Sequence, residues 1–324
     1  MASQTHLPTV LRNLSIPVIA SPMFTVSYPE LVVAQCKAGI VGSFPALNAR
    51  PAELLDDWLA QMTEELTAYA DAHPEAIVGP IAVNQIVHTS NVRLEQDVKT
   101  CVKHRIPIFI SSLHAPVKEI LDEVHSYGGI VLHDVINLRH AEKALEAGVD
   151  GLILVAAGAG GHAGRMSPFA LVGEVRKRFN GPIVLSGSIA TGQAILAAQA
   201  MGADLAYMGT RFIACPETLV SDRYREMLVR AGAEDVTATA AVTGVACSWL
   251  NESLGDAGLS GTQLSAAGQI DFSDVHGDHK PWKDIFGAGQ GVGKIDQIEM
   301  VGEVADKIVA EYRSAATTFA ATAI

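Results

Sequence analysis

PIVLSGSIATGQAILAAQAMGADLAYMGTRF, residues 182–212, reads as strand, glycine-rich turn, helix, strand and a second glycine-rich turn. PIVLSG (182–187) and DLAYMG (204–209) are short apolar runs without strict alternation, the pattern of strands buried on both faces of a parallel sheet. Six more such runs precede them: IPVIAS (16–21), IVGSF (40–44), IVGPIAVN (77–84), IPIFISS (106–112), GIVLHD (129–134) and GLILVAAG (151–158). Amphipathic stretches such as LLDDWLAQMTEELTAYADA and LRHAEKALEAG lie between them. In KAGIVGSF, EAGVDGLILV and MGADLAYMG a helix-ending glycine stands directly before a strand, where it caps the helix and turns the chain back. Eight strands alternating with helices is the count of an α/β fold closed as a (β/α)8 TIM barrel, rather than a doubly wound open sheet.

After residue 215 the alternation stops. Residues 216–275 read as helices and loops, 276–293 as a glycine-rich irregular stretch, and 296–314 as a helix. The expected organisation is a barrel over 1–215 and a helical and loop extension over 216–324, packed on the barrel mouth as a lid.

Of the 324 residues, 49% are apolar and 18% charged, which supports one large core and excludes a disordered chain. No apolar run approaches the roughly 18–20 residues of a membrane span, and no basic segment precedes a long apolar one. A soluble, cytoplasmic protein is expected. The net charge of −12, with no Lys/Arg cluster, argues against a nucleic-acid partner. Cys36, Cys101, Cys215 and Cys247 lie far apart without CxxC spacing and read as buried structural thiols.

In such barrels the active site lies at the C-terminal ends of the strands, with phosphate often held after the last two. Those loops are SGSIATG (186–192) and MGTRF (208–212). Gly187, Ser188 and Gly209 let backbone approach an anion, the helix N-termini that follow point N–H groups at it, and Ser188 and Thr210 add hydroxyls. A phosphate-bearing ligand is expected. The loop after the sixth strand, GAGGHAGR (158–165), sets His162 among glycines, and histidine is the side chain suited to moving a proton near neutral pH. Arg165 reads equally as an anion contact or a surface residue. His88, His114 and His133 also follow strands, which invites a metal-hydrolase reading. The first strand ends in SPMF and the eighth in MGTRF, with no ligand pair or Asp, so no metal is expected. His133 is left between a ligand-facing and a core position.

SPMF (21–24), VNQ (83–85), GAGGHAG (158–164), LSGSIATG (185–192) and MGTRF (208–212), in that order, resemble the nitronate monooxygenase family, formerly called 2-nitropropane dioxygenases. AGQGVG (288–293) resembles a Gly-Gln segment of that family's C-terminal part. The resemblance implies FMN as cofactor, its phosphate on Gly187, Ser188, Gly209 and Thr210 with Ser186 lining the same site. It implies that Pro22 and Met23 set backbone against the flavin ring and that Asn84 bonds ring or ribityl oxygens, a region His133 could also face. Gly160 and Gly161 would pass beside the flavin, His162 would be the catalytic residue at its reactive edge, and Gln290 would reach in from the tail. Two departures stand out: Gly187-Ser188 where the family often has two glycines, and Asp134 where some members carry Lys.

The implied reaction is oxidation of an alkyl nitronate or nitroalkane by O2 to a carbonyl compound and nitrite. The same motifs fit an NAD(P)H:quinone reductase or an enoyl-acyl-carrier reductase, and a non-catalytic phosphate-ligand-binding barrel is the alternative of another class. An inosine-monophosphate-dehydrogenase-like chemistry needs a cysteine in the loop that here carries His162, and is rejected.

Overall fold

All eight apolar runs form strands in the computed structural model, which describes residues 7–259 and 285–322. The strands are β1 (Val18–Ala20), β2 (Gly42–Pro45), β3 (Ile81–Val87), β4 (Ile108–Leu113), β5 (Ile130–Val135), β6 (Gly151–Val155), β8 (Ile183–Ser186) and β9 (Leu205–Met208). A two-residue strand, β7 (Gly161–His162), lies between β6 and β8 in sequence but belongs to another sheet. Neighbouring barrel strands pair in parallel in the order β1-β9-β8-β6-β5-β4-β3-β2. An Ile19–Val41 bridge joins the two ends of that sheet, with Ala20 N–H to Val41 O at 2.9 Å and Val41 N–H to Val18 O at 3.1 Å. The barrel is closed there.

The two-residue side-chain period of a strand then sorts the core. Ile19, Ala82, Ile108, Ile110, Leu132, Ile153, Val184 and Leu205 fill the interior, and Leu7 and Leu11 of the N-terminal segment join the same cluster. Alternate residues such as Val83, Phe109, Val131, Leu152 and Leu185 pack outward against the helices.

The C-terminal helix does not join the expected lid. Helix Val301–Thr322 lies on the barrel wall, its Val301, Val304 and Ile308 packed with Val18, Ile195, Ala206 and Met208. It serves as the eighth barrel helix. The helix after β9 is only Thr210–Ile213, because Pro216 follows two residues beyond its cap and has no N–H to extend it. Glu217, next in the chain, accepts the Val301 N–H at 2.8 Å and ties the two pieces together.

The extension is also not purely helical. Helix Asp222–Arg230 is followed by β10 (Val236–Thr239) and β11 (Cys247–Leu250), an antiparallel pair. VTAT and CSWL contain β-branched or aromatic residues but are only four residues long, too short to stand out as a pattern. Residues 260–284, which include the start of the glycine-rich stretch, lie outside the described residues.

All four cysteines are buried and unpaired. Burial pushes the Cys36 and Cys215 thiols up to about 12 and the Cys247 thiol to about 11, so they stay protonated and inert. Among the described residues, no helix is long and apolar enough to cross a membrane.

Candidate active site

Moving up the barrel axis, the interior changes character. Below lie Ile110, Leu132 and Val184; two residues on, at the C-terminal ends of the same strands, lie Ser112, Asp134 and Ser186. With Asn84 of β3 they form a polar floor at the mouth. Asn84 Nδ2 donates to Ile110 O at 3.0 Å and to Ser112 Oγ at 2.7 Å. Ser112 Oγ in turn donates to Asp134 Oδ2 at 2.6 Å. A carbonyl can only accept, so the amide orientation of Asn84 is set by Ile110 and leaves Oδ1 as the atom it can offer a ligand. Burial raises the Asp134 carboxyl to about 6, opposed by the Ser112 hydrogen bond.

Three glycine-rich segments and the C-terminal segment converge above this floor. Gly158 O accepts from Ser188 N–H at 3.2 Å and from Gln290 N–H at 2.9 Å. Thr210 Oγ1 accepts from Gly289 N–H at 2.8 Å, which leaves its own O–H to donate. A Cβ on Gly160 would stand 2.9 Å from Gly289 N and 3.1 Å from Thr210 Oγ1. Gly187 takes φ +131°, and a Cβ there would stand 2.7 Å from Ala157 O, so the turn after β8 admits only glycine. Ser188 follows in the left-handed region, at φ +55°. The structure therefore brings Gly160, Gly187, Ser188, Gly209, Thr210 and Gln290 together. Pro22 and Met23 belong to the turn after β1, where Asn48 Nδ2 donates to Met23 O at 3.1 Å.

One expected anion contact is already spoken for. The N–H of Gly192, first residue of helix Gly192–Met201, donates to Glu311 Oε2 at 2.8 Å. That helix end faces the C-terminal helix. Of the expected anion contacts, the Gly187–Ser188 turn and Gly209–Thr210 remain. Gly209 is closely packed, since a Cβ there would meet Ser21 Cβ at 3.2 Å and Met23 Sδ at 3.3 Å. On the expectation of a flavin phosphate at this turn, Gly209→Val should lower flavin occupancy while leaving most of the fold intact. Flavin absorbance per protein, with circular dichroism as control, checks it, and full occupancy would place the phosphate elsewhere.

His162 does not sit on a free loop. Gly161–His162 is β7, paired antiparallel with β11 so that His162 stands opposite Cys247 and Gly161 opposite Ser248. Ser248 Oγ donates to Ala159 O at 2.8 Å, and the far end of β11 bridges Gly287 through Trp249. One strand therefore carries both the histidine segment and the segment leading to Gln290. The His162 side chain keeps solvent access, yet the surrounding protein desolvates it and lowers its pKa from the ordinary 6.5. Its imidazole is neutral at pH 7, the form that accepts a proton.

His133 takes the core position. It shares the outward face of β5 with Val131 and Val135, buried beside Ser111 Oγ at 2.8 Å. Desolvation holds it neutral, with a pKa of about 4. The neighbour that points inward is Asp134. His88 and His114 stack at the rim, ring centroids 5.6 Å apart. No cluster of His, Cys, Asp or Glu among the described residues could hold a metal ion. Tyr207, which shares the inward face of β9 with Leu205, and β11 as the support of His162 escaped the sequence reading. Strand parity in DLAYMG groups Tyr207 with Leu205, but only barrel closure turns that face inward. Nothing local marked the second.

The nitronate monooxygenase family model matches residues 7–311. The chain belongs to that family. A nitronate monooxygenase of Paraburkholderia phytofirmans is 30% identical over 288 residues, covering 75% of this chain and 76% of that one. A (3aS,4S,5R,7aS)-5-hydroxy-7a-methyl-1-oxo-octahydro-1H-indene-4-carboxyl-CoA dehydrogenase of Rhodococcus jostii is 27% identical over 246 residues, covering 76% of this chain and 65% of that one. Among solved structures, a FabK mutant of Thermotoga maritima superposes with TM-score 0.76 at 25% identity, covering 97% of this chain and 98% of that one. The nitroalkane oxidase of Streptomyces ansochromogenes gives 0.75 at 22% identity, covering 94% and 98%, and supports the fold. This member of the nitronate monooxygenase family is an enzyme, a flavin-dependent oxidoreductase.

Proposed function

We propose that this enzyme holds FMN in the glycine-lined mouth and oxidises alkyl nitronates, or their parent nitroalkanes, with O2 to a carbonyl compound and nitrite. The observation that carries this is the convergence of Gly158, Gly160, Gly187–Ser188, Gly209–Thr210 and Gln290 around one opening with His162 beside it. The residues present fit the cofactor. Glycine Cβ positions that would collide with backbone make a cradle, and Asp134 Oδ1 and Tyr207 Oη are buried there without hydrogen-bond partners.

In this reading Gly187, Ser188, Gly209 and Thr210 hold the phosphate with Ser186 beside them. Pro22, Met23, Gly160 and Gly161 flank the ring, while Asn84 and Gln290 offer polar groups to it. Bound FMN supplies the electron acceptor and the centre that reacts with O2. The protein's task is position and proton traffic. A nitronate arrives already ionised and needs only to be seated. A neutral nitroalkane must first lose the proton on the carbon bearing the nitro group, and the neutral imidazole of His162 is the group to take it.

The purified protein is expected to be yellow, and heat should release FMN rather than FAD, since no GxGxxG turn opens a helix for a dinucleotide. Mass measurement of the released chromophore decides this; FAD, or no flavin, overturns it. Anaerobic mixing should bleach the flavin with a nitronate. Bleaching by NADH or NADPH alone would instead favour a nicotinamide-dependent quinone or enoyl reductase, a second reading supported by the resemblance to the Rhodococcus CoA-ester dehydrogenase.

A further inference from the structure

The chain of hydrogen bonds across the barrel floor has a direction. Ile110 O accepts from Asn84, Asn84 donates to Ser112, and the Ser112 hydroxyl must then spend its one proton on Asp134 Oδ2. Oδ2 is thereby an acceptor, and any proton on the Asp134 carboxyl belongs on Oδ1. That atom is buried and unpartnered, as is the Tyr207 hydroxyl of β9. Both side chains point into the barrel interior, where Asp134 raises the pKa of Tyr207 further. An ionised, unpaired oxygen in such a place is costly, and covering the mouth with a flat ligand desolvates it further.

We propose that Asp134 enters the flavin complex as a neutral acid, with Oδ1–H as a hydrogen-bond donor to the bound ring, so that loading the cofactor takes up one proton. This rests on the flavin reading of the mouth. It gives Asp134 a positioning role in which a neutral donor stands where a lysine would place a fixed charge. The groups that face Asp134 leave it as the titrating member. On β4 the neighbour is Ser112, on β3 Asn84, on β6 Ile153 and Val155, and on β9 Tyr207, whose hydroxyl is held protonated by burial. His133, on the same strand, faces outward and is neutral near pH 7. Before loading, a carboxyl with a pKa of about 6 is mostly ionised at pH 7.5; the ligand therefore draws its proton from solvent.

The test uses the flavin-loaded enzyme. At pH 7.5, infrared spectra should show the C=O stretch of a protonated carboxyl, shifted in D2O and missing from loaded Asp134→Asn. Asn keeps a donor of similar shape, so the variant should still fold and bind flavin. In a second measurement, the Kd for FMN in the parent should rise about tenfold per pH unit above pH 6 relative to Asp134→Asn, the slope for one linked proton. The comparison cancels the titration of the FMN phosphate itself. Tyr207→Phe should keep both signatures, because the proton belongs to Asp134. A flavin-loaded parent without the carboxyl band, or parallel pH profiles in parent and Asp134→Asn, overturns the proposal and leaves the flavin reading standing. A parent that binds no FMN overturns both.

Discussion

His162→Asn is expected to lower turnover of a neutral nitroalkane by roughly 10²–10⁴-fold, the usual worth of a positioned general base. Folding and flavin colour should survive, because β7 is held by backbone pairing with β11 and asparagine keeps that pairing. Turnover of the pre-ionised nitronate should fall much less, since its proton is already gone. The pH profile follows from the direction of the shift. Desolvation lowers the His162 pKa from 6.5, so the base stays neutral and active to more acidic pH than a free histidine would. Activity on the nitroalkane is then lost as pH falls through that lowered value, and the acidic limb should be missing in the variant. Steady-state rates on both substrate forms between about pH 5 and 8 provide the check. Equal losses on the two forms would move His162 to a binding role, and unchanged rates would remove it from the chemistry.

Gly158→Val should be strongly damaging at the mouth. Gly158 has φ +84°, and a branched side chain in the left-handed region costs roughly 1–2 kcal/mol by itself. Its Cβ would collide with the Ser188 hydroxyl and stand 3.0 Å from Gln290 Oε1. The carbonyl also holds the Ser188 and Gln290 N–H groups, at about 0.5–1.5 kcal/mol each. A loss of roughly 2–4 kcal/mol in urea unfolding is expected, together with loss of bound flavin. Gly258→Ala is the control. That glycine has φ +73° with nothing within 4 Å of its Cβ site, so it should show only the backbone cost and keep its flavin. Equal, small losses in both would show that the three segments do not depend on meeting at Gly158.

Much of the fold was legible because barrel strands are local objects. IPIFISS and GLILVAAG are apolar on both faces whatever they pair with, and a helix-ending glycine before a strand is a local turn requirement. The same holds for the turn after β8, where Gly187 answers a backbone demand visible in the order of residues. The C-terminal region was less legible for the opposite reason. Val301, Val304 and Ile308 form an apolar stripe that would suit a lid or a wall equally, and only the gap left by the short helix Thr210–Ile213 chooses the wall. The strand CSWL has no meaning alone; it becomes a strand between VTAT and Gly161–His162.

The sequence by itself determined the barrel, the glycine turns at its strand ends and the histidine among them, since each follows from side-chain period or backbone freedom within a few residues. Only the tertiary structure decided which way the paired residues His133 and Asp134 face. A strand sends neighbours to opposite sides, and barrel closure alone says which side is inside. That choice buries His133 against the helix layer and turns Asp134, with an unpaired oxygen, into the mouth.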